Sequence, residues 1–147
     1  MGRVLAAAGL LALAAGCSDT SDPGRYIPPE DKARSALESA LSAWQAGAEP
    51  GTIPGTANPT VQFVDSHRPP GRRLTGLTVL GKAPGDGPPV FTVKLAFDGS
   101  PGELKVRYVV VGIDPMWVIR HEDFDMLNHW DHPMKAGKAG ESRNPAR

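Results

Sequence analysis

The sequence predicts an α+β fold: one N-terminal helix packed on a curved antiparallel sheet of four to five strands. Two observations carry that expectation. Apolar residues recur at three- and four-residue spacing from Ala33 to Trp44, and from Val61 to Arg120 the chain is a succession of short alternating segments parted by Gly/Pro turns. A helix followed by a run of strands, rather than strands and helices in alternation, is the pattern of a segregated α+β domain.

The helix is marked at both ends. Pro28-Pro29 precede it, and Glu30 and Asp31 place negative charge in its first turn, where the macrodipole favours it. Ala33, Leu37, Ala40, Leu41 and Trp44 form the apolar stripe, with polar residues such as Lys32, Glu38 and Gln45 beside it. Gly47 is a natural stop. After a Gly/Pro-rich connector from Glu49 to Pro59 come the expected strands Val61–Asp65, Leu74–Lys82, Val90–Phe97, Glu103–Val111 and Met116–Arg120. The Arg68-Pro-Pro-Gly-Arg72 loop, the Pro84–Pro89 loop and the hairpin-type turn Asp98–Gly102 separate the first four. Phe91, Val93, Leu95, Val106, Tyr108 and Val110 would lie beneath the Leu37/Leu41/Trp44 stripe. On the other face of Glu103–Val111, Lys105 and Arg107 give way to Val109 and Val111.

The N-terminus carries a different message. Arg3 opens a positive n-region, Val4 to Ala15 form an apolar h-region, and Leu13-Ala-Ala-Gly-Cys17 resembles a lipobox. As a helix the apolar run would be roughly 18 Å long, short of a bilayer core of about 30 Å, so it reads as a targeting segment. Cys17 is the only cysteine of the chain, and its thiol would carry the diacylglyceryl thioether of a lipoprotein after cleavage just before it. Ala12-Leu13-Ala14 also fits an ordinary signal peptidase, which would release a soluble protein. The expected organisation is a lipoprotein-type signal peptide over 1–16, a flexible tether over 17–29, a single domain over 30–130 and a disordered tail over 131–147.

Composition excludes several functions. With Cys17 lipidated no thiol remains for a disulfide, a cysteine metal site or thiol chemistry. The 16 basic and 16 acidic residues balance, so no net field draws the chain to nucleic acid. No G-x-S-x-G, H-E-x-x-H, P-loop or G-x-G-x-x-G pattern is present, and no cofactor is expected.

The segments Pro50-Gly-Thr-Ile-Pro-Gly, Val61-Gln-Phe-Val-Asp-Ser and Val106 to Phe124 (VRYVVVGIDPMWVIRHEDF) resemble small uncharacterised bacterial envelope proteins, many of them predicted lipoproteins. The resemblance covers most of Asp31 to Phe124 and implies no activity. At the level of element order alone, the chain is similar to cystatin-like and NTF2-like domains, in which a helix sits in a wrapped sheet.

Three constellations could carry chemistry. Met126, His129, His132 and Met134 combine thioether and imidazole in one short stretch, with His121 near enough to join, a set that suits copper or another transition metal. The bland alternative is a short amphipathic helix whose Phe124, Leu127 and Trp130 cover an open end of the sheet while the histidines stay solvated. Asp65 and His67 would point the same way on a strand, the Asp orienting the His as a general base in the manner of a small cavity enzyme; as part of an exposed loop they would do nothing. Asp114-Pro-Met-Trp117 is foremost a turn before an aromatic strand, and an exposed Trp117 or Trp130 would mark a partner-binding patch. The expectation is therefore a membrane-anchored envelope lipoprotein acting as a non-enzymatic binding or accessory module. Its membrane contact would be the lipid on Cys17, and its partner an envelope protein yet to be identified. A periplasmic metal binder and a small NTF2-like cavity enzyme are the alternatives.

Overall fold

The structure, a computed structural model, describes residues 23–131. The stretch read as a signal peptide, Cys17, His132 and Met134 lie outside the described residues, as do the side chains of Trp130 and Asp131.

Helix α1 (Glu30–Gln45) forms where the apolar stripe predicts it. The Pro29 carbonyl accepts the Ala33 N–H at 2.9 Å, starting the helix without a side-chain cap. At the other end Gly47 adopts φ +97° and gives its N–H to the Trp44 carbonyl at 2.8 Å. Ala33, Ala36, Leu37, Ala40, Leu41 and Trp44 are buried, and they meet the inner face of the sheet through Phe63, Phe91, Val93, Leu95, Tyr108 and Val118. Trp44, Phe63, Phe97 and Tyr108 form a chain of tilted rings with centroids 5.7–5.9 Å apart.

The sheet has six strands: β1 (Gly51–Thr52), β2 (Val61–Val64), β3 (Leu74–Lys82), β4 (Val90–Phe97), β5 (Glu103–Val111) and β6 (Met116–Arg120). Their order is β1-β2-β6-β5-β4-β3. This corrects the expected antiparallel sheet of four to five strands. β3 to β6 do form an antiparallel meander, but β2 pairs with β6 in parallel, in the register Val61↔Met116 and Phe63↔Val118. The reason lies in burial. Val61, Phe63, Met116 and Val118 all need the face that α1 covers, and the parallel register puts all four there. The two-residue β1 is too short to leave an alternating signal in the connector.

A second helix, α2 (His121–Asp131), continues β6 without a loop and packs on β5 and β6. Val109 and Ile119, paired across those strands on the face away from α1, are buried. That accounts for the switch to apolar residues at Val109. Leu127 and Met126 remain exposed and Phe124 is half-buried, so Leu127 does not cover the sheet as expected.

Within the stretch read as tether, Pro23–Tyr26 make a 3-10 turn, and the Tyr26 carbonyl accepts the Gly112 N–H at 2.8 Å. Gly112 itself has φ +85°, and a Cβ there would lie 2.5 Å from the Pro115 carbonyl oxygen. Both backbone strain and overlap with backbone oppose any side chain. Gly112→Ala is expected to destabilise the domain by about 1–3 kcal/mol or more. Thermal melting would measure this, and an unchanged midpoint would refute it.

Candidate functional site

The parallel pairing of β2 and β6 brings their C-terminal ends together, with Val64 opposite Ile119. Asp65, Ser66 and His67, which leave β2, therefore meet Arg120, Glu122 and Asp123, which lead from β6 into α2. Tyr108 joins from β5, directly opposite Arg120.

Asp65, Arg120 and Asp123 are the buried charged residues among those described. The Tyr108 hydroxyl donates to Asp65 Oδ2 at 2.7 Å, and the His67 backbone N–H donates to Asp65 Oδ1 at 3.0 Å. Arg120 Nη1 lies 3.6 Å from that same Oδ1, while Nε and Nη2 reach the two Glu122 oxygens at 3.1 and 3.4 Å. Asp123 takes the Ser66 backbone N–H on Oδ2 at 2.9 Å and the Ser66 hydroxyl on Oδ1. Each of the four carboxylate oxygens of Asp65 and Asp123 thus accepts a hydrogen bond from the protein itself.

The surroundings shift three of these groups. Burial, then the Asp65 charge and its hydrogen bond, push the Tyr108 phenol well above its ordinary range. Burial works against the Arg120 guanidinium, but the Glu122 hydrogen bond and the Asp65 charge outweigh it and raise its pKa. Burial likewise raises Glu122, yet the hydrogen bond from Arg120 and one from the backbone prevail and hold that carboxyl below its ordinary 4.5. A depressed carboxyl contributes stability above its unfolded pKa and loses it as pH falls through the folded one. Glu122→Gln is therefore expected to lower the urea midpoint at about pH 7, and the gap to the parent chain to narrow as pH falls below the ordinary glutamate range. A gap independent of pH would contradict this.

Asp65 does not orient the His67 ring as the sequence suggested. β2 ends at Val64, so strand alternation no longer applies, and Asp65 instead closes a turn on the His67 backbone. The carboxylate near the imidazole is Asp123, 3.4 Å from Nδ1, with Ser66 Oγ 3.2 Å from the same nitrogen. Ser, His and Asp are the residue types of a hydrolase triad, but the connectivity differs. A triad needs the serine proton on one ring nitrogen and the carboxylate on the other, whereas here both face Nδ1 and the Ser66 hydroxyl donates to Asp123.

Ligand atoms of Asp65, His67 and Asp123 lie within 4.8 Å of one another, close enough to share a cation. Arg120 already balances Asp65, and the carboxylates already accept protein donors. Of the sequence-predicted metal set, Met126 and His129 lie exposed on α2, with His129 Nδ1 2.7 Å from the Asp125 carbonyl. His121 sits at the opposite end of α2, about 12 Å from His129 along the axis, and pairs with Asp125 at 3.0 Å. The structure therefore does not bring His121 and His129 together.

Beside the cluster, a shallow cleft of about 500 Å³ opens between the end of α1 and the loop before β3, lined by Trp44, Glu49, Asp65, Arg68 and Arg72 among others. His67 does not line it. Arg68 stacks 4.9 Å from the Trp44 ring and pairs with Glu49 at 3.4 Å, which holds the Pro69-Pro70 loop against α1. Sequence reasoning named Asp65 and His67 but missed Ser66, Arg120 and Asp123. Only the strand order places these near one another, and an Asp in a helix's first turn is an ordinary dipole feature. Compared with known protein families, with curated proteins and with solved structures, the chain matches none.

Proposed function

We propose that this chain is a bacterial envelope lipoprotein, held to a membrane through lipid on Cys17, whose α+β domain is a non-enzymatic binding or accessory module. The observation that carries the proposal is the sole thiol of the chain, placed at the end of Leu13-Ala-Ala-Gly-Cys17 behind an apolar run. A diacylglyceryl group supplies the two chains that stable anchoring needs. The site's own hydrogen bonding supports the second half of the proposal. The Ser66 hydroxyl donates to Asp123 and the Tyr108 hydroxyl to Asp65, so these groups are engaged within the protein. The domain's role would then be to place a binding surface near the membrane for another envelope protein.

The test is intact-mass analysis and palmitate labelling of the chain expressed in a bacterium with its own N-terminus. A mature chain starting at a diacylglyceryl-modified Cys17, lost from membranes in Cys17→Ser, is expected. An unmodified mature chain starting at Ala15 would overturn the anchor.

A further inference from the structure

One end of the sheet exposes large apolar side chains around the point where the anchored segment joins the domain. Tyr26 is 59% exposed, Ile113 47% and Trp117 40%. They are neighbours. A groove of about 340 Å³ is lined by Tyr26, Val111, Ile113 and Trp117, and a second of about 440 Å³ by Tyr26, Ile27, Pro88 and Val111. The two share Tyr26 and Val111, so they form one face. Its parts are held in place by the Gly112 to Tyr26 backbone bond, the Val111↔Trp117 strand pairing and the Thr60 N–H to Asp114 bond at 3.1 Å.

We propose that this face docks on the surface of the bilayer that carries the lipid anchor. The inference rests on the lipidation of Cys17 proposed above. The chain from Cys17 to Tyr26 spans at most about 30 Å when fully extended, so a lipid at Cys17 holds this end of the sheet within that distance of the membrane. Tyr and Trp, with an apolar body and a polar edge, are the side chains that settle at a membrane–water interface. Charge selects the kind of surface. Asp86 and Asp114 line the grooves, and the Arg25 guanidinium, 5.9 Å over the Tyr26 ring, sets one positive charge beside these two negative ones. An uncharged, zwitterionic lipid surface fits this face better than an anionic one.

The test uses the full lipidated chain, its acylation first verified by intact mass, in phosphatidylcholine vesicles with brominated acyl chains. Bromine quenches indole only at close range, so tethering alone gives little effect. In a Trp130→Phe background, which leaves Trp44 and Trp117 as the indoles, quenching of the protein emission is expected, with most of it lost on adding Trp117→Phe; Trp44 is buried in the core and serves as an internal reference. An acylated chain whose quenching is the same in Trp117→Phe overturns the docking and leaves the anchor standing. A chain without the acyl group removes the anchor and the docking with it. If Trp117 is unquenched by bromolipid yet shielded from acrylamide, and light scattering in detergent gives a dimer, a second copy covers the face and the docking is overturned.

Discussion

Asp65→Ala is expected to cost the domain about 3–5 kcal/mol, the penalty of removing one partner from a buried charged pair. Asp65 is 4% exposed, Tyr108 0% and Arg120 7%, so water cannot replace what the carboxylate provides. Without it the Tyr108 hydroxyl has no acceptor, and Arg120 Nη1, which already has no hydrogen-bond partner among the described residues, loses its nearest countercharge. A typical domain has about 5–15 kcal/mol to lose, so the variant should unfold at a far lower urea concentration. Tyr108→Phe alone should cost about 1–3 kcal/mol, because it leaves Asp65 short of a donor. In the Asp65→Ala background the same change should cost nothing or stabilise, because the orphaned hydroxyl disappears. Equal effects of Tyr108→Phe in both backgrounds would show that the two groups are not coupled.

Phe63→Ala is the second large effect, about 3–5 kcal/mol for an aromatic truncation in a packed core. Phe63 is 1% exposed, and its ring bridges those of Trp44 on α1 and Tyr108 on β5 at 5.9 Å each. Its consequence should be local as well as global. β2 has four residues and is held only by β6 on one side and by the two-residue β1 on the other. With the Phe63 ring gone, the amides of Val61–Val64 are expected to lose hydrogen-exchange protection before those of β4 and β5. Since β2 delivers Asp65 and Ser66, the contacts to Tyr108 and Asp123 should weaken with it. Uniform loss of protection across the sheet would contradict that order, and Phe63→Leu, which keeps most of the volume, should cost less.

Much of the fold is legible along the chain. The stripe from Ala33 to Trp44 specifies a helix and its buried face, and alternation in Val90–Phe97 and around Tyr108 specifies strands and their inner faces. These are local patterns, set by the period of the backbone, and the core residues they name are buried in the structure. Turn chemistry marks the boundaries in the same local way. β1, with two residues, is below the length at which alternation means anything.

The site was only half legible. Asp65 and His67 attract notice because a carboxylate and an imidazole stand two apart, but their partners come from 43 and 56 residues further along the chain, at Tyr108 and Asp123. Nothing in the stretch from Arg120 to Asp123 announces that two of its charges are buried. Their burial follows from β2 lying beside β6, which sets Asp65 against Arg120 and Ser66 against Asp123.

The sequence by itself determined the α+β class, helix α1, five of the six strands and their inward faces. Periodicity and turn residues are both encoded within a few residues of one another. Only the tertiary structure decided which strands are neighbours, that β2 runs parallel to β6, that Asp123 and not Asp65 faces His67, and that Tyr26, Ile113 and Trp117 share one exposed face. Strand pairing is a choice among distant segments whose alternation is much the same, and it is settled by which arrangement buries Phe63, Val118 and Tyr108 together beneath α1.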